Sequence, residues 1–157
     1  MDIKFKIADE SDADNVAIMV IKLTEEISKR TNSKHFNIDV NETIKRCREL
    51  IHNCKYGAII GYSSSKAIAV STFTESYALY AGGKVGIIPE FYVDPDFRSF
   101  GVGESLISKV REYGLSNGWS CIELCTPPLP EFERTLAFYK QNGLVPVGGR
   151  KMRQFLQ

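Results

Sequence analysis

The chain has 157 residues, 43% of them hydrophobic and 25% charged, which is the make-up of a single globular domain over residues 1–157 with apolar material enough for a core. Its formal net charge of +1, with no basic run longer than Arg150-Lys151 and nearby Arg153, gives no electrostatic reason for nucleic acid or a membrane surface as partner. No apolar run reaches membrane-spanning length, and Cys47, Cys54, Cys121 and Cys125, spaced C-x6-C and C-x3-C, lack zinc-ribbon spacing, so free thiols in a reducing cytoplasm and no metal are expected.

Residues 2–7 put Ile3, Phe5 and Ile7 on one face and Asp2, Lys4 and Lys6 on the other, the period of a strand at a sheet edge. Ser11 with Asp14 makes a helix-cap signal, and Val16, Met19, Val20, Leu23 and Ile27 then recur at helical spacing to about Arg30. Residues 31–38 are polar and loop-like. Asp39 with Glu42 caps a second helix whose inner face is Val40, Ile44, Cys47 and Ile51. His35 and His52 stand near its ends without a companion at ligand spacing; both are expected on the surface, with His35 in a loop able to border a substrate. Residues 56–62 and 66–77, rich in Ile, Val, Thr, Phe and Tyr, flank Ser63-Ser64-Ser65 and read as a hairpin. Ala81-Gly82-Gly83-Lys84 makes the next turn, into a strand over residues 85–93.

Pro89 lacks an N–H and argues for a bulge or a local loss of pairing in that strand, which Asp94-Pro95-Asp96 then stops. Apolar residues at Val102, Leu106, Ile107, Val110 and Tyr113 mark a helix to about Ser116, with Asn117-Gly118 as its cap and a strand over residues 120–126. Strand, helix, strand implies a parallel pair, and ligands in open sheets gather at the carboxyl ends of such strands, here where Val93 meets the glycines. Pro127-Pro128-Leu129-Pro130 breaks the chain before a last helix over residues 131–142, and residues 144–147 and 151–156 are expected to close the fold as a hairpin around Gly148-Gly149.

Between the strand and the third helix lies Arg98-Ser99-Phe100-Gly101-Val102-Gly103. A helix start exposes unpaired N–H groups, and glycines there let an anion reach the backbone; they equally let a helix pack closely on a sheet. A Walker A loop is absent, and the dinucleotide fingerprint fails because Leu106 stands in place of the third glycine. What is present, R-x-x-G-x-G after Glu90-Phe91-Tyr92-Val93-Asp94-Pro95-Asp96-Phe97, resembles the coenzyme A pyrophosphate motif of the GNAT superfamily of N-acetyltransferases. Phe138-Tyr139, followed by Gly143-Leu144, resembles a second signature of that family.

The resemblance implies an α/β fold: a mixed sheet of about six to seven strands with a splayed parallel pair, flanked by about four helices. It implies acetyl-CoA as cosubstrate and a small-molecule or peptide amine as acceptor, the acetyl group moving by direct attack. Backbone N–H groups of Ser99, Phe100, Gly101, Val102, Gly103 and Glu104 would take the pyrophosphate, with Arg98 adding charge or bracing the loop unless it pairs with Asp94 or Asp96. Backbone groups of Phe91, Tyr92 and Val93 would bind the pantetheine arm and polarise the thioester carbonyl. Tyr139 is the expected acid to the departing thiolate, its alternative being core packing beside Phe132 and Leu136. Glu90 is the expected base, through water, or the group that holds the ammonium, with a purely structural carboxylate as the alternative and Glu123, Glu75 and Tyr92 as rivals.

One departure from the family pattern is the missing asparagine before Phe138. Arg134 either replaces it at a phosphate or pairs with Glu131 or Glu133. A non-catalytic acyl-CoA-binding or sensing domain is the rival function, and a nucleotide-phosphate module unrelated to coenzyme A a weaker one. Residues 31–38, 76–84 and 126–131 would shape the acceptor pocket, and an exposed edge strand admits a homodimer.

Overall fold

The computed structural model describes residues 2–33 and 38–156. Strand β1 (Ile3–Ile7) leads through a short 3-10 turn, Glu10–Asp12, into helix α1 (Ala13–Thr31). Asp9 caps the 3-10 turn, while α1 itself starts from Asp12 with no side-chain cap, so the expected Ser11 and Asp14 pair does not form. The Asp9 carboxylate accepts from Ser11 N at 2.8 Å, and Asp12 accepts in return from Asp9 N at 2.9 Å. Helix α2 (Val40–His52) starts as its sequence predicts, with Asp39 accepting from Glu42 N at 2.9 Å.

The sheet has six strands, β1, β2 (Gly57–Ser63), β3 (Lys66–Ala78), β4 (Gly83–Ile87), β5 (Phe91–Val93) and β6 (Cys121–Glu123). Between β5 and β6 runs helix α3 (Val102–Ser116), and helix α4 (Glu133–Gln141) follows β6. The order is β1-β2-β3-β4-β6, with β1 at one edge; every pairing is antiparallel except β4 with β6. β3 is long enough to serve two partners on one side, β4 along Thr74–Ala78 and β5 along Ala69–Ser71.

The strand expected over residues 85–93 is thus two strands, and Pro89 sits at the break. β3 moves three positions from Thr74 to Ser71 while the facing chain moves four, from Ile87 to Phe91, so one residue is extra and the strand bulges. The last link to β6 is Ile88 N to Glu123 O at 3.0 Å. Beyond it Pro89 offers no donor, and β5 continues on β3 alone.

Helices α1 and α2 cover one face and α3 the other. Val16, Met19, Cys47, Ala58, Ile60, Val70 and Tyr92 fill the first layer; Ile59, Ile68, Phe73, Leu106, Ile107, Val110 and Trp119 fill the second. Trp119 lies in a slot made by missing side chains, since a Cβ on Gly86 would sit 2.1 Å from its Cε3 and one on Gly114 2.5 Å. The expected closing hairpin is not formed. Residues 144–156 contain no strand, Val147 and Leu156 are 85% and 90% exposed, and Gly148 and Gly149 both turn at positive φ. Alternating apolar residues suit a strand only where a partner edge receives them, and β6, the edge strand at that end of the order, is three residues long.

Candidate active site

Where β5 and β6 part, β5 keeps β3 as its one strand partner and a line of its peptide groups is left unpaired on the side toward β6. Thr72 N donates to Glu90 O at 3.0 Å and Asp94 N to Ile68 O at 2.7 Å, so the peptide groups of Glu90, Tyr92 and Asp94 face β3. By the alternation of a strand, those of Phe91 and Val93 face the cleft. This corrects the expectation for Tyr92, whose backbone belongs to the ladder and whose ring is buried against α1 and α2. The Val93 carbonyl already accepts from Arg98 Nε at 2.7 Å.

Below the cleft the chain tightens. Asp94 accepts from Asp96 N at 2.9 Å, residues Pro95–Phe97 make a 3-10 turn, and Ser99 and Gly101 both adopt positive φ, 69° and 81°. The first bond of α3 is Ser105 N to Gly101 O at 3.0 Å, which leaves the N–H groups of Val102, Gly103 and Glu104 without a partner inside the helix. The two glycines divide the uses left open by sequence. Nothing lies within 4 Å of a Cβ on Gly101, whereas one on Gly103 would stand 3.0 Å from the Phe138 ring. Gly101 keeps the turn open, and Gly103 lets α3 meet α4. Ser99 and Phe100 are exposed beside them.

Arg98 braces this loop. Its guanidinium grips Glu26 of α1, Nη2 to Oε1 at 2.7 Å and Nη1 to Oε2 at 3.1 Å, and lies 5.6 Å from the Tyr92 ring centroid. Neither Asp94 nor Asp96 takes that ion pair. Burial works against charge on Glu26, but the hydrogen bonds and charges of Arg98 and Arg30 outweigh it and lower its pKa. Arg30 donates onward to Glu131 O at 2.5 Å and covers the Phe132 ring at 4.0 Å, so one carboxylate ties the loop, α1 and the approach to α4 together. Glu26 and Arg30 escaped the sequence reading because both look like solvated helix charges.

Tyr139 stands on the α4 side of β5. It is buried, edge-on to Phe91 with centroids 5.9 Å apart and to Phe138 at 5.3 Å, and burial pushes its hydroxyl pKa up. Arg134 is exposed and, among the described residues, pairs with neither Glu131 nor Glu133.

Glu90 lies on the other face of the same strand, toward α2. The hydroxyls of Tyr56 and Thr72 both donate to its Oε1, and Glu90 N donates to Thr72 Oγ1 at 3.0 Å. Burial and the neighbouring Glu90 charge raise the Tyr56 pKa; the Cys47 thiol nearby is pushed up to about 11, mainly by burial. Glu90 and Tyr139 therefore flank the cleft from opposite sides without meeting. Of the rivals, Glu75 accepts from Trp119 Nε1 at 2.7 Å, and Glu123 from the Tyr80 hydroxyl at 3.3 Å. His52 pairs with Glu10 at the surface, and His35 lies outside the described residues. Among the described residues no helix is long and apolar enough to cross a membrane.

A family model described as "Acetyltransferase (GNAT) family" matches residues 21–144. An uncharacterized N-acetyltransferase of Methanocaldococcus jannaschii is 40% identical over 60 residues, 38% of this chain and 26% of that protein. One from Archaeoglobus fulgidus is 32% identical over 76 residues, 48% of this chain and 52% of that protein. The matched part thus spans about a quarter and a half of these relatives. The aminoglycoside N-acetyltransferase AAC(6')-Iy, solved in complex with CoA, shares the fold at a TM-score of 0.80 and 14% identity, covering 98% of this chain and 95% of its own.

Proposed function

Because the chain belongs to the acetyltransferase (GNAT) family, we propose that it moves an acetyl group from acetyl-CoA to the primary amine of a small molecule. The observation that carries this is the cleft between β5 and β6, whose Phe91 and Val93 peptide groups run down to the open turn at Gly101. An extended pantetheine arm with its own amides would replace the missing strand partner, and the free N–H groups of Val102, Gly103 and Glu104 would take the pyrophosphate. Arg98 contributes by holding the loop to α1; its guanidinium is committed to Glu26.

The amine nitrogen, once neutral, attacks the thioester carbonyl carbon, whose oxygen is polarised by a cleft-facing N–H. The C–S bond breaks, its electrons pass to sulfur, and Tyr139 supplies the proton that makes the free thiol. A buried phenol whose pKa is raised stays protonated at neutral pH, so the proton is available, and it moves as charge develops on the departing sulfur. The proton lost by the amine goes through water to Glu90. AAC(6')-Iy, an aminoglycoside acetyltransferase, supports a small amine as the acceptor class. Four free cysteines support a reducing compartment such as the cytoplasm.

Calorimetric titration with acetyl-CoA, beside ATP and NAD, tests the assignment. Saturable binding of acetyl-CoA alone, lost in Gly101→Glu, followed by thiol release with a panel of primary amines, is the expected result. A folded wild type that ignores acetyl-CoA ends the proposal.

A further inference from the structure

The half-buried carboxylate of Glu90 is held in an unbalanced way. Both of its hydroxyl donors, Tyr56 and Thr72, converge on Oε1; among the described residues Oε2 receives no hydrogen bond, and no Lys, Arg or His is ion-paired with the group. The two donors and their acceptor come from three separate places: Tyr56 precedes β2, Thr72 lies in β3, and Glu90 occupies the bulge ahead of β5. Thr72 Oγ1 takes the Glu90 N–H at 3.0 Å on its lone pair, which directs its own proton to the carboxylate. The Tyr56 hydroxyl has one proton, and it is spent on the same oxygen. Neutral donors orient an anion and stabilise it without cancelling its charge. A carboxylate so arranged keeps one oxygen able to accept N–H groups from a cation.

Resting on the acetyltransferase reading above, we propose that Tyr56 and Thr72 are positioning residues that lock Glu90 so that Oε2 receives the acceptor's ammonium group. The acceptors are then amines that arrive protonated, and a quaternary ammonium of equal charge is refused because it has no N–H to give. Tyr56 has no other part in the chemistry, and its hydroxyl, half-buried, has Glu90 as its acceptor.

The test needs no knowledge of the natural acceptor. Protein carrying carbon-13 at its glutamate carboxyls is titrated with ethylammonium chloride, and with tetramethylammonium chloride at matched ionic strength, the Glu90 resonance being identified by its loss in Glu90→Gln. Wild type is expected to give a saturable shift of that resonance with ethylammonium and none with tetramethylammonium. Tyr56→Phe and Thr72→Val weaken the ethylammonium affinity at least fivefold, Thr72→Ser restores it, and all three bind acetyl-CoA as wild type does. The Thr72→Val and Thr72→Ser pair decides the matter if Tyr56→Phe fails to fold. Equal response to the two cations, or unchanged affinity in the variants, overturns the proposal. Loss of acetyl-CoA binding by the wild type would instead strike the transferase assignment, leaving the ethylammonium result to be read on its own.

Discussion

Arg98 meets Glu26 along both edges of the carboxylate, at 2.7 and 3.1 Å, across 72 residues of sequence. The first helix is thereby fastened to the loop that begins α3, and the loop's geometry depends on a residue nowhere near it in the chain. Glu26 also holds Arg30 at 3.3 Å, so its removal takes the carboxylate from two guanidinium groups at once.

That arrangement has a pH signature. The Glu26 pKa is lowered in the folded protein below 4.5, so its contribution to stability is complete above that value and is lost as pH falls through the folded value. Glu26→Gln is expected to melt at a lower temperature than wild type near neutrality, with the gap closing as the buffer is acidified through and below the ordinary carboxylate range. Calorimetric melting curves across that range check it, and a constant gap counts against the ion pair as the cause.

Tyr139→Phe keeps the ring that packs on Phe91 and removes only the hydroxyl. Thiol release should slow by about a hundredfold in kcat, the scale of a single general acid, while calorimetry finds acetyl-CoA affinity within about twofold of wild type. A large loss of affinity with unchanged kcat would assign Tyr139 to coenzyme packing instead.

Gly86→Ala drives a methyl group to 2.1 Å from Trp119. Overpacking of this kind costs about 1 to 3 kcal/mol, enough to lower the melting temperature by several degrees. Gly82→Ala meets no neighbour within 4 Å, yet its φ of 79° makes the backbone strained for alanine, so it is destabilising through conformation alone. Trp119 fluorescence separates the two, shifting only in the first.

The thiols divide by exposure. Cys54, Cys121 and Cys125 are exposed, and Cys47 is buried with its pKa pushed up to about 11. Native protein should react with a disulfide reagent at three cysteines promptly and at Cys47 only on denaturation, as counted by absorbance. Four equally fast thiols would mean that α2 opens readily.

Sequence carried the stretch from β5 to α3 because each step there has a local cause. Pro89 removes a donor, Asp94 and Pro95 stop the strand, and Gly101 takes the left-handed φ before the helix. Part of what it did not carry depends on residues far apart in the chain. Tyr56 reaches Glu90 across 34 residues, and nothing around Tyr56 distinguishes it from an ordinary strand aromatic. Asp9 and Ser11 both suit a helix cap, and only the fold shows the Ser11 hydroxyl donating to Asp9 at 2.5 Å. Around Gly148-Gly149 local pattern pointed the wrong way, since strand-forming residues there find no edge to join.

The short strand β5 hangs from β3 along one side, so its neighbouring amides live in different surroundings although they are a single residue apart. In deuterated water the Tyr92 amide, bonded into the ladder, exchanges slowly, while those of Phe91 and Val93 are open to solvent and exchange fast. A fast-slow-fast pattern over three consecutive residues is a fingerprint of an unfilled sheet seam. Any molecule that completes the seam should slow the outer two and leave the middle one as it was, which turns this strand into an occupancy gauge read one amide at a time.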